Sequence, residues 1–153
     1  MFTNANIKVI VCGELFDGDG NLKQKVVKHN LITSAGYDFL SDCMCNATRP
    51  TPLKYIAVGT GTTAPTLEDT TMENELLRKL CDYSHISGDA FLSLGATLEP
   101  GEATGALTEA GILNASTGGV LFDRIVFPVI NKEPLDTYRI SFTVTFKIKP
   151  SPL

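Results

Sequence analysis

A chain of 153 residues, 43% hydrophobic and 20% charged, is the size of one domain and can bury most of its apolar surface in a single core. A formal charge of −4 and a pI near 5.1 argue against binding to phosphate backbones, which needs clustered Lys and Arg, so nucleic acid is not an expected partner. No apolar run approaches the ~20 residues of a membrane span, and the start MFTNANIKVIVCGEL lacks the basic opening and cleavage site of a secretory signal. The sequence therefore points to a protein folded in a cytoplasm, with no membrane partner.

The first elements read as a hairpin. Ile7 to Phe16 and Leu22 to His29 are two strands joined by DGDGN, which supplies the positive-φ residues such a turn needs. Asp17, Asp19 and Asn21 also match the opening of a calcium loop, but Leu22 and Lys28 stand where that loop requires Gly and Glu. Thr33 is placed to cap a short helix through SAGYDFLSDCMC, with Phe39, Leu40, Cys43 and Met44 along one face, plugging one end of a sheet. NATRPTP ends that helix, and a strand from Tyr55 to Val58 follows. TLEDTTMENELLRKLC reads as a second helix, entered at Thr70 or Thr71. Glu73 and Glu75 then lie near its positive end and Arg78 and Lys79 near its negative end, with Met72, Leu76, Leu77 and Leu80 as a partial packing stripe.

From Ala90 the pattern turns to strands. Ala90, Leu92, Leu94, Ala96 and Leu98 alternate with Phe91, Ser93, Gly95, Thr97 and Glu99, and the turn EPGEATG follows. VLFDRIVFPVI is apolar on both faces, as a central or doubly covered strand is. In the last segment Tyr138, Ile140, Phe142, Val144, Phe146 and Ile148 alternate with Arg139, Ser141, Thr143, Thr145, Lys147 and Lys149, which predicts one buried and one wet face. Short strands, Gly- and Pro-rich turns and no βαβ alternation predict a mainly β fold. The expected architecture is an antiparallel β-sandwich, jelly-roll or Ig-like, with one or two short helices, forming a single domain over residues 1–153.

The chemistry-bearing patterns are few. GTGTTA, inside KYIAVGTGTTAP (54–65), satisfies the G-x-G-x-x-G/A turn of dinucleotide sites. Pro65 and Thr66 follow it where a helix must start, and no acidic residue closes a second strand about 20 residues on, so the stretch reads as a turn. Neither of the two histidines adjoins a nucleophile motif, and Glu99, Glu102 and Glu109 fall in a turn-rich segment that reads as a solvated loop. Cys12, Cys43, Cys45 and Cys81 form no C-x-x-C pair and read as free thiols in a reducing compartment. Two alternatives to free thiols stand beside that reading. One is a zinc site from Cys43, Cys45, His29 and His85, against which the tight Cys-x-Cys spacing speaks; the other is a disulfide formed after release from the cell, whose pairing the sequence does not choose. The sequence thus offers no catalytic, cofactor-binding or metal-ligating residues, and no cofactor is expected.

The order of the pieces carries more than any one of them. HNLITSAGYDFLSD (29–42), KYIAVGTGTTAPTLEDTTMENELLRK (54–79) and LTEAGILNASTGGVLFDRIVFPVINKEPLDTYRISFTVTF (107–146) together resemble a family of small structural proteins of tailed bacteriophages. Met72 where Leu is usual and Val129 before Ile130 are mild departures from that pattern. The resemblance implies a non-enzymatic virion component of tail, baseplate, neck, fibre anchor or capsid decoration, assembled in the host bacterial cytoplasm. Its implied partners are other phage structural proteins and further copies of itself, as a homo-oligomer. The N-terminal hairpin (1–30) lies outside the best-matched region and either docks the chain to its neighbours or completes the sheet. Two other classes remain as alternatives: a carbohydrate-binding or adhesin-like sandwich, for which a chain with no Trp and four Tyr is poorly equipped, and a nucleotide-dependent enzyme.

Overall fold

The computed structural model describes residues 4–149. Ten strands and one helix follow in the order β1 (Asn4–Phe16), β2 (Leu22–His29), β3 (Leu31–Ile32), α1 (Ser34–Cys45), β4 (Tyr55–Gly59), β5 (Glu75–Leu80), β6 (Asp82–Ser84), β7 (Phe91–Leu98), β8 (Gly105–Leu113), β9 (Leu121–Lys132) and β10 (Thr137–Lys149). They form two five-stranded sheets, β2-β1-β10-β7-β6 and β3-β9-β8-β4-β5, with every neighbouring pair antiparallel. The fold is mainly β, a two-sheet sandwich with one short helix among the described residues. The chain changes sheet through single residues at Asn30 and Cys81, and each is held as it crosses: the Asn30 amide donates to Val9 and the Cys81 amide to Lys54.

Period-2 alternation explains the inner faces. Val9, Val11 and Leu15 of β1, Leu94, Ala96 and Leu98 of β7, and Tyr138, Ile140, Phe142 and Val144 of β10 are buried against Ile56, Val58, Leu107, Ala110, Ile112 and Ile125 of the second sheet. Burial of this apolar surface is the main stabilising contribution, at roughly 25 cal/mol per Å². The alternation of β10 ends earlier than the sequence suggests, because Phe146 is 41% exposed at the mouth of the sandwich; the side chains of Lys147, Ile148 and Lys149 lie outside the described residues. β9 is buried on both faces through Ile125, as its doubly apolar pattern requires. Pro128 falls where the β8–β9 register shifts, a bulge that tolerates a residue with no N–H to donate.

The N-terminal hairpin completes the first sheet: β1 pairs with β10 along its whole length and β2 lies outside it. Side chains of β2 then reach the uncovered part of β9, Lys28 Nζ donating to the Val126 carbonyl at 2.7 Å and Gln24 Nε2 to the Val129 carbonyl at 3.1 Å. These contacts cover an edge that would otherwise offer bare carbonyls.

Two helix expectations are resolved differently. Thr33 caps α1 as expected, its hydroxyl accepting from the Gly36 amide at 2.9 Å and donating to the Leu121 carbonyl at 2.6 Å. Phe39 is buried edge-on against Phe122, while Met44, expected on the packed face, is 82% exposed. The second predicted helix does not form. Glu75–Leu80 is the edge strand β5, paired with β4 from Tyr55↔Leu80 to Gly59↔Glu75, and the preceding residues are loop. Side chains in that loop satisfy its backbone in place of helical bonds: Asp69 accepts from the Thr66 amide and hydroxyl, and Glu73 from those of Thr63. Sheet pairing and these local bonds outweigh a weak helical propensity.

Candidate functional site

The glycine loop is explained by a carboxylate beneath it. Glu109 of β8 is completely buried, and its Oε1 accepts from the amides of Gly61 at 3.1 Å and Asn74 at 2.6 Å. Its Oε2 accepts from the Glu73 amide at 3.1 Å and from Arg124 Nε at 2.8 Å. A Cβ on Gly61 would stand 2.6 Å from the Glu109 carboxyl, and one on Gly59 would stand 2.7 Å from its Oε1, so the loop approaches this closely only because both residues are glycine. The sequence reading of Glu109 as part of a solvated loop is therefore corrected: it is the central acceptor of a buried knot.

Arg124 of β9, 3% exposed along its side chain, supplies the counter-charge. Besides Glu109 it donates to the Thr63 carbonyl at 3.1 Å, to Asp69 Oδ2 at 3.0 Å and to Glu73 Oε2 at 3.0 Å. Burial works against ionisation of Asp69, yet the Thr66 amide and Arg124 hold its carboxyl below the usual range. Glu73 is likewise held low, first by the Thr63 amide and hydroxyl and then by Arg124. Burial also opposes the charge on Arg124, and its bonds to Glu109 and Asp69 more than restore it. The result is a guanidinium wired to three carboxylates, two of which reach the surface. A pyrophosphate would need the amides of Gly61 and Thr63, and here both are taken by carboxylates.

A second lock lies on β5 itself. Arg78 forms a bidentate pair with Glu75 and donates to the carbonyls of Ala115 at 2.9 Å and Gly118 at 2.8 Å, which fixes the turn between β8 and β9. Asn114 closes the same turn, its Oδ1 accepting from the Val120 amide at 2.7 Å. Nearby, Asp123 is fully buried, with its oxygens accepting from the Ile112 amide and from Asn30 Nδ2. Burial pushes its carboxyl up to about 8 against those two hydrogen bonds.

The other residues singled out by sequence are dispersed. Asp17 closes its own hairpin turn, Oδ1 accepting from the Asp19 and Asn21 amides at 2.9 Å each. Glu102 pairs with Lys79. All four cysteines are free thiols; Cys12 lies on β1, Cys43 and Cys45 on α1, and Cys81 at the sheet crossing, where burial raises its thiol to about 11. His85 Nδ1 lies 2.8 Å from the Phe91 carbonyl oxygen. Among the described residues no three His, Cys, Asp or Glu side chains gather as metal ligands.

One open concavity is apolar. Between α1, the Pro50–Leu53 segment and the ends of β7 and β10 lies a cleft of about 540 Å³, walled by Phe39, Leu53, Leu94, Phe122, Val144 and Phe146, with Arg49 and Tyr83 also lining it. Sequence reasoning missed both the knot and this cleft. The knot had a signal: Asp123 and Arg124 interrupt an otherwise apolar run, and a charge inside such a run must find a buried partner.

Fold and site together define a two-sheet antiparallel β protein whose polar residues lock its own loops. No family model, curated protein or solved structure matches the chain.

Proposed function

We propose that this chain is a non-enzymatic structural component of a tailed-phage virion, occupying a repeated position on tail, baseplate, neck or capsid surface. One observation carries the reading: residues in the phage-like segments are engaged with one another. Glu109 holds the Gly-Thr-Gly loop, Arg124 holds Glu109, and the Glu75–Arg78 pair holds the turn at Asn114–Gly118. Such a pattern suits a scaffold whose loops must keep one shape in every copy, and a rigid surface loses little conformational entropy on docking.

Partners in this reading are other phage structural proteins and further copies of the chain. The test is an antibody to the purified chain applied to purified virions, read by electron microscopy, with mass-spectrometric counting in capsid and tail fractions. Labels at regular capsid or tail positions are expected. A chain found in infected-cell lysate and absent from purified particles defeats the proposal.

A further inference from the structure

The two poles of the sandwich have opposite character. At one pole the loops 17–21, 99–104 and 133–136 meet, with the Gly101 amide donating to the Pro134 carbonyl at 2.8 Å and Leu135 lying beside Gly18. Leu135 is 71% exposed at this apex, although its loop is rigid: the Asp136 amide donates to the Glu133 carbonyl at 3.0 Å and the Glu133 amide to Asp136 Oδ2 at 2.9 Å. The Glu133 side chain is 73% exposed and only loosely held by Lys23 at 3.3 Å, and Asp17, Asp19 and Glu99 stand on the same group of loops. The exposed rim of this pole is mainly acidic and carries the exposed Leu135, which also borders a shallow concavity of about 260 Å³ with Pro100 and Arg139.

The opposite pole, on the order of 30 Å away along β10, holds the apolar cleft. Arg49 lines it, no carboxylate does, and Arg49 has no ion-pair partner among the described residues. Pro50 and Pro52 stiffen the lip, and at about 540 Å³ the cleft falls within the size range of sites that enclose apolar groups.

We infer that the occupant of this cleft is the Pro134–Leu135 apex of a second copy, with Arg49 facing Glu133, so that copies associate head to tail. The argument is complementarity within one chain: an exposed leucine beside a largely exposed carboxylate, held only by Lys23 at 3.3 Å, at one end, and an apolar socket beside a cation with no ion-pair partner among the described residues at the other. A contact between two different surfaces is heterologous and propagates into a ring or a filament. The inference rests on the virion reading and deepens it by naming the contact that would repeat.

Sedimentation velocity on the purified full chain over a concentration series tests it. Association beyond a dimer is expected, and Leu135→Asp, at an exposed position, should weaken it by about tenfold or more. Arg49→Glu should weaken it too, and adding Glu133→Arg to that variant should restore it. Mixing Leu135→Asp, which keeps its socket, with Arg49→Glu/Phe146→Asp, which keeps its knob, should give one heterodimer and nothing larger; thermal melts establish that each variant is folded, and Arg49→Glu alone serves if the double variant is not. A wild-type chain that stays monomeric to roughly 0.5 mM, where even weak specific contacts register, overturns the inference. So does association unchanged by Leu135→Asp. Labelled virions combined with either result would leave the virion reading standing and remove only this contact, whereas absence from particles removes that reading whatever the chain does in solution.

Discussion

Removing Glu109 should cost more than removing the arginine it pairs with. The Glu109 carboxylate accepts from three backbone amides besides Arg124 Nε, all four donors within 3.1 Å. Glu109→Ala leaves three amides and a nearly buried guanidinium without their acceptor. Breaking a buried ion pair costs about 3–5 kcal/mol, and each orphaned amide adds about 1–3 kcal/mol where water cannot reach it, so a loss at or above ~5 kcal/mol is expected. Arg124→Met removes the cation but leaves the carboxylate its three amide donors, which places its cost nearer ~3 kcal/mol. Glu109→Gln keeps one oxygen for Gly61 and Asn74 but turns an NH₂ toward Arg124 and the Glu73 amide, an intermediate case. Against a total stability of about 5–15 kcal/mol these are large fractions, readable by urea unfolding with the m-value checked for two-state behaviour. Each kcal/mol corresponds to about 2–4 °C in Tm at this size. If Glu109→Ala cost less than Arg124→Met, or both cost under ~1 kcal/mol, the knot would not be what holds the loop.

Two further measurements address the sheet register and the buried acid. Phe142 is completely buried and Phe146 is 41% exposed on the same strand face, so Phe142→Ala should lose about 3–5 kcal/mol, Phe146→Ala clearly less, and the outward Thr143→Ala almost nothing; equal losses at the three positions would refute the register. Asp123, raised to about 8 by burial against bonds from Ile112 and Asn30, keeps its proton in the fold over a range where the unfolded chain, at ~3.9, has released it. Stability therefore falls as pH rises from about 4 to 8, since the folded state binds the extra proton, and levels off above that. Asp123→Asn should remove this decline in urea titrations across the window, and parallel pH profiles for variant and wild type would sink the argument.

Alternation of side chains made β1, β7 and β10 legible, because period-2 burial is written residue by residue: Leu94, Ala96 and Leu98, or Ile140, Phe142 and Val144, need no partner to be read, whereas the short strands β3 and β6 and the strand β8 around Glu109 were not legible as strands. The Thr33 cap was equally local. ELLRKL was not. Its leucines and charges suit either a helix or an edge strand, and pairing with β4, a contact between segments some twenty residues apart, decided the matter. The same holds for the buried knot and the two poles. The sequence contains Glu109 and Arg124, but only the β8–β9 pairing brings their side chains to 2.8 Å. The cleft at one pole and the leucine apex at the other are products of which strand ends meet, and tertiary pairing alone sets that, because no local propensity encodes the position of a loop relative to loops distant in the chain.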